Sequence, residues 1–310
     1  AVVVVVLLVL VAWGAIFLYK SSFDVYPYVP SHHVQSQSQV EEQSQSQPQQ
    51  VEETHSAEKW QPPQQEETVA EEEPEPLPPP VTVSFTIYNY MDFQTYTVST
   101  TISGEEQVEA GEPFYIYVDH EAYCIKNLVQ WASTQPSIIS LASQVKNIAN
   151  GDPELTANLL MQITGQMNYD YGKALSQDNE LRTPIETLID RHAICCEASL
   201  LYASLLKAAG IDCVFLSVHV TPARFGSDHA MIGVRLPEVT HPYMLHSDYH
   251  YYYSVPLNAH ITYQGQTYYL ADPTPFLEGP KNPVEAVLIY PSLVGEHSWS
   301  SIEYELIIDL

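Results

Sequence analysis

The stretch R-H-A-I-C-C-E-A-S-L-L-Y-A-S-L-L-K-A-A-G, residues 191–210, decides the fold. From Cys195 to Ala209 it is built from good helix formers, with no proline or glycine to interrupt it. Gly210 stands where a helix needs a left-handed residue to stop. Glu197 and Lys207 are its only charged side chains, so apolar or small residues cover almost every face. A helix of that kind is expected to be buried and central. Upstream, Thr183-Pro184-Ile185-Glu186 has the form of a capping box with proline at the first helical position. Ser137 to Ala149 and Pro153 to Gln166 are amphipathic runs, and Asp152-Pro153 is a good helix start. Downstream come strand patterns at Asp212 to Val220, Asp228 to Leu236 and Thr267 to Ala271, with Gly265 in a hairpin turn. Val81 to Ile87 alternates strictly, as a half-buried strand does. Tyr96 to Ile102 and Phe114 to Val118 are further strand candidates, separated by turn signals at Gly104 and at Gly111-Glu112-Pro113. Helices followed by an antiparallel sheet predict an α+β domain over 81–310.

The rest of the 310-residue chain is different material. Residues 1–19 carry no charge. At ~1.5 Å per residue they make roughly 28 Å of helix, close to the ~30 Å core of a bilayer. Trp13 and Tyr19 suit a membrane interface, and Lys20 closes the run. The expectation is a single transmembrane helix, with a signal peptide as the alternative. The simplest arrangement is a single-pass membrane protein whose soluble domain lies outside the cytoplasm. Residues 20–80 read as a disordered linker rich in Gln, Glu and Pro. Ser-Gln repeats (Gln35, Gln37, Gln39, Gln43, Gln45, Gln47) give way to Glu clusters and the P-E-P-L-P-P-P end at 74–80. Too little apolar surface is present there to offset the entropy of ordering.

The formal net charge is −27, and residues 81–310 alone hold 26 acidic against nine basic side chains. That balance excludes nonspecific nucleic-acid binding, because phosphates need basic partners. Four Cys are too few for a disulfide scaffold of this size. Cys124 and Cys213 could pair in an oxidising exterior, or stand as two buried free thiols.

Three residues can carry chemistry together. Cys195 opens the central helix, His229 opens a strand in S-D-H-A-M-I-G-V, and Asp272 closes another in Y-Y-L-A-D-P-T-P. A thiol attacks as thiolate, and a helix N-terminus favours that form. A neighbouring His takes the proton and returns it to a leaving amine. A carboxylate on the other ring nitrogen orients the imidazole and steadies its charge. The backbone N–H of Cys195 could face the developing oxyanion. Glu197 and Asp190 could support such a site, or serve as caps or solvated charges. His241, His246 and His250, with Asp248, form a second cluster in a Tyr-rich segment. Their spacing matches no tight metal motif. An exposed loop or an aromatic platform beside the substrate is the expectation. No metal and no cofactor are expected.

These segments resemble the transglutaminase-like superfamily, in its microbial transglutaminase-core branch. The resemblance covers about 180–280 well and 81–180 loosely. Cys195, Glu197 and Ser199 match the nucleophile motif, while Leu205-Leu206 and Gly210-Ile211 match the helix end. His229-Ala230-Met231-Ile232-Gly233-Val234 matches the histidine strand, and Asp272-Pro273-Thr274 the aspartate strand. The order Cys, His, Asp has separations of 34 and 43 residues. The family spacing back from Gly210 selects Cys195 over the rival Cys196, which then becomes a core thiol. The resemblance implies a papain-like core, with a central helix packed on an antiparallel sheet and a Cys195–His229–Asp272 triad. It implies a thiol enzyme acting on amide bonds of peptides or proteins, a protease or amidase rather than a transamidase. Ala193 replaces the family's frequent Gly, Ile194 a frequent Asp and Met231 a frequent Trp. These departures keep open an inactive module that binds peptide or a cell-envelope component.

Overall fold

The computed structural model describes residues 76–111, 114–115, 121–176, 180–221, 228–241, 258–274, 293–297 and 299–310, with Asn282, Val284 and Val287. The chain divides into two units, Ala1–Ala70 and Glu71–Leu310, and every described residue belongs to the second. The apolar run 1–19 and almost all of the linker lie outside the described residues. Among the described residues no helix is long and apolar enough to cross a membrane.

The second unit is α+β. It opens with an antiparallel hairpin of β1 (Val81–Asn89) and β2 (Gln94–Ile102), paired from Val81↔Ile102 to Asn89↔Gln94. Alternation buries Val83, Phe85 and Ile87 on β1 and Val98 and Ile102 on β2. Three glutamines from the helical region that follows in sequence clamp this hairpin. The Gln162 and Gln166 side-chain amides each bond both the N–H and the C=O of one β1 residue, Tyr88 and Thr86, and Gln144 does the same to Ser99 of β2. They satisfy backbone groups that an edge strand would leave unpaired.

The turn expected at Gly104 is instead a helix, α1 (Gly104–Ala110). Ser103 Oγ accepts from Glu106 N–H, and the Glu106 carboxylate accepts from Ser103 N–H, a complete capping box. Gly104 is glycine because of a close approach: an added Cβ would stand 2.4 Å from the Pro78 carbonyl oxygen. The strand expected from Phe114 to Val118 is present as β3 (Phe114–Tyr115), and 116–118 lie outside the described residues.

Five further helices follow: α2 (Glu121–Ser133), α3 (Pro136–Ile148), α4 (Pro153–Thr164), the single turn α5 (Tyr171–Ala174) and α6 (Pro184–Asp190). Asp152 caps α4 through Leu155 N–H, and Thr183 with Glu186 forms the capping box of α6. Among them lie the two-residue strands β4 (Asn168–Tyr169) and β5 (Glu180–Leu181). β5 pairs with β3. The strand β6 (His192–Ala193) pairs in parallel with β4 and leads into α7 (Cys195–Ala209). α7 ends as expected: Gly210 has φ +80, its N–H bonds Lys207 C=O, and Ile211 N–H bonds Leu206 C=O.

β7 (Cys213–Thr221), β8 (Asp228–Val234), β9 (His260–Tyr263), β10 (Gln266–Ala271) and β11 (Ser301–Asp309) form one antiparallel sheet in the order β11-β7-β8-β10-β9. α7 packs on β7 and β8, with α2, α3, α4 and α6 around it. Phe215, Ala230, Ile232 and Ala271 belong to the core that includes α7. Val214, Leu216, Met231, Tyr268 and Leu270 build a second cluster. Burial on both faces explains the near-continuous apolar run in β7. Gly233 of β8 permits the second packing, since a Cβ there would lie 2.7 Å from Val214 Cγ2 and 3.0 Å from Tyr268 Cβ.

All four cysteines are free thiols. Cys213 is buried, its Sγ 3.9 Å from the Ala203 carbonyl, and burial pushes its pKa up to about 12. Cys124 is half-buried, contrary to the expectation of two buried thiols.

Candidate active site

Cys195 is the first residue of α7 and half-buried. Its position depends on how the chain enters the helix. α6 stops at Arg191, whose φ of +58 is unusual for a long side chain. The guanidinium is held 3.9 Å from the centre of the Phe85 ring and donates to Ser84 C=O at 2.7 Å, contacts that offset the strain. The next residues are fixed by β4: Asn168 N–H bonds Arg191 C=O at 2.8 Å, and Asp170 N–H bonds Ala193 C=O at 3.0 Å. α7 is then tied to the sheet beside His229, because Ser199 Oγ donates to Ala230 C=O at 3.1 Å.

His229 is the second residue of β8, and Asp272 follows the last residue of β10. Adjacent strands bring the two side chains together, with His229 Nε2 3.0 Å from Asp272 Oδ2. The same carboxylate oxygen accepts from Trp299 Nε1 at 2.8 Å, and Oδ1 accepts from Thr274 N–H at 3.0 Å. The Cys195 side chain lies close enough to His229 to act on its charge. With Nε2 committed to Asp272, Nδ1 is the nitrogen left for the thiol. The structure thus pairs His229 with Asp272 and sets Cys195 at the start of α7, near enough to influence His229.

The electrostatics follow from the packing. Burial disfavours a charged His229, and this is the largest single influence on it. The charge and hydrogen bond of Asp272, then the hydrogen bond and charge of Cys195, outweigh it and raise His229 to about 10. Burial pushes Asp272 upward, but His229, Trp299 and Thr274 together hold it below the ordinary carboxylate value. The site thus favours an imidazolium between two groups that welcome its positive charge.

Trp299 is a further member of this cluster that local sequence patterns do not reveal. Besides its bond to Asp272, its ring lies 5.0 Å from the His229 ring, centre to centre. Only long-range packing brings it within reach, 27 residues beyond Asp272.

The second cluster requires correction. His241 is not in an exposed loop; it is buried, and its Nδ1 lies 2.8 Å from Tyr90 Oη. Tyr90 Oη also accepts from Asn158 Nδ2, and the backbone N–H of His241 bonds Glu154. This network joins the turn after β1, α4 and the segment ending at His241. His246, Asp248 and His250 lie outside the described residues. Glu197 and Asp190 also separate: Glu197 is 0% exposed, while Asp190 is about half exposed and pairs with Arg182.

Part of the chain is similar to a known family. Residues 137–250 match a protein family described as a transglutaminase-like domain, a span that includes Cys195 and His229 and ends before Asp272. A solved structure described as a "putative cysteine protease" from Cytophaga hutchinsonii is 14% identical, over 70% of this chain and 65% of that one. Its TM-score is 0.27. The chain thus spans about 65% of that protein's length. Among curated proteins, none matches the chain.

Proposed function

We propose that this protein is a thiol hydrolase of the transglutaminase-like kind, cutting amide bonds of peptides or proteins. One observation carries the reading: a buried His229–Asp272 pair, 3.0 Å apart, with Cys195 at the start of α7 close enough to act on the His229 charge. In this scheme the Cys195 sulfur, as thiolate, attacks the amide carbonyl carbon. The oxyanion forms at the first turn of α7, where helix N–H groups lack intrahelical partners. The C–N bond then breaks, and the His229 imidazolium gives its proton to the departing amine. A thioester on Cys195 remains. Neutral His229 takes a proton from water, hydroxide equivalent attacks the thioester, and the acid leaves with thiolate and imidazolium restored. Asp272 and Trp299 keep the ring oriented throughout. The apolar run 1–19 would tether the enzyme to a membrane through the acidic linker.

The test is a peptide library incubated with the purified chain and followed by mass spectrometry. The proposal expects released amine and a transient acyl adduct on Cys195, both lost in Cys195→Ala and His229→Ala. Peptide binding without amine release or adduct would instead identify a binding module, the role left open by Ala193, Ile194 and Met231. Iodoacetamide gives a substrate-free check: at about pH 6, Cys195 should label at least about tenfold faster than a free thiol.

A further inference from the structure

Two positions after Cys195, Glu197 is 0% exposed, the one charged side chain so completely buried among the described residues. Its carboxylate is filled from four directions. Oε1 accepts from Arg182 N–H at 2.8 Å and pairs with Lys173 Nζ at 2.7 Å. Oε2 accepts from Ile194 N–H at 3.0 Å and from Arg182 Nη1 at 3.2 Å. Arg182 continues outward, Nη2 to Asp170 at 2.8 Å and Nε to Asp190 at 3.2 Å. Burying such a charge has a large desolvation cost, which even good pairing only balances. A nonpolar side chain would fill the same space without it. The arrangement therefore calls for a reason other than stability.

The reason lies in what the carboxylate holds. Ile194 has no side-chain acceptor to cap α7, and Glu197 performs the reverse half of a capping box on the Ile194 N–H. On the preceding residue, Ala193 C=O is held by Asp170 N–H. Asp170 in turn accepts from Lys173 N–H and from Arg182. The peptide units immediately before Cys195 are thus clamped by one cluster whose centre is Glu197. Misplacing a reacting group by about 1 Å can cost on the order of a hundredfold in rate.

We propose that Glu197 is a positioning residue that holds the Ile194–Cys195 backbone so that the thiol is presented to His229. The inference rests on the proposed role of Cys195 as nucleophile. Lys173 and Arg182 make the buried carboxylate tolerable, and only Glu197 reaches the helix entry. A shorter acid keeps the charge and loses the reach.

The test compares wild type, Glu197→Asp and Lys173→Met, all as full chains, by iodoacetamide labelling of Cys195 between pH 5 and 9 and by thermal melting. Both variants lose stability, since each disturbs a buried ion pair. Only Glu197→Asp should also lose reactivity, by about tenfold or more at pH 6. Lys173→Met should label within about threefold of wild type. A folded Glu197→Asp that labels as wild type overturns the proposal, as does a Lys173→Met equally slow. Should Glu197→Asp fail to fold, hydrogen exchange in wild type decides. The Ile194 amide must be protected as strongly as the α7 interior, and exchange at the rate of an exposed amide overturns the proposal. Wild-type labelling no faster than a free thiol refutes the nucleophile reading itself, a separate outcome.

Discussion

Replacing Asp272 by asparagine removes one charge and should undo more than one bond. In the native site three N–H donors converge on two carboxylate oxygens: His229 and Trp299 on Oδ2, Thr274 on Oδ1. Asparagine has one acceptor oxygen and an amide nitrogen that only donates. Whichever way it turns, at least one native donor faces another donor. The residue is 3% exposed, so water cannot make good the loss. Breaking a buried ion pair from one side costs about 3–5 kcal/mol, and that range is the expectation here. For a folded part of this size, about 2–4 °C per kcal/mol applies, giving a fall of roughly 6–20 °C in melting temperature.

The pH dependence has a definite shape. Asp272 is held below its ordinary value of 3.8, so its stabilisation is present above that value and is lost as pH falls through the lower native one. His229 is raised from 6.5 to about 10, so its stabilisation is complete below 6.5 and is lost as pH rises through about 10. The gap between wild type and Asp272→Asn should be widest between about pH 4 and 6.5 and shrink on either side. Urea unfolding at five pH values measures it. A gap below about 1 kcal/mol at pH 5, or one that widens toward pH 10, would refute the assignment of His229 and Asp272 as a buried charged pair.

Further outcomes follow from the same contacts. Trp299→Phe keeps a ring near His229 but removes a charge-assisted bond, so calorimetry should show a loss of about 1.5–3 kcal/mol. Tyr90→Phe leaves Asn158 and His241 without their shared partner in a buried site; chemical unfolding should register about 1–3 kcal/mol while Cys195 labelling stays at the wild-type rate. Gly233→Ala forces a methyl group against Val214 and Tyr268, and a melting curve should report about 1–3 kcal/mol of destabilisation.

Much of this fold is legible along the chain, for physical reasons that also mark the limits. The Cys195–Ala209 helix is set by local matter alone: helix formers throughout, then Gly210 at a left-handed stop. His229 and Asp272 are readable because each sits at the end of a strand with a clear apolar pattern. The strand β11 escapes such reading. Its pairing shifts register between Tyr304 and Leu306, which breaks the alternation. The helix α1 is hidden by Gly104, which serves a close approach to Pro78 while looking like a turn residue. Trp299 and the buried pairing of His241 with Tyr90 depend on contacts between distant segments. No window of sequence contains them. Glu197 is an intermediate case: its place beside Cys195 is visible, but its four partners arrive from α5, the β5–α6 junction and the helix entry.

The most direct measurement is an NMR titration of the His229 ring nitrogens in wild type and in Cys195→Ala. The account predicts a wild-type pKa near 10 with both nitrogens protonated at neutral pH, and a clear downward shift when the sulfur is removed. A His229 that titrates at or below 6.5, indifferent to the loss of Cys195, would contradict it.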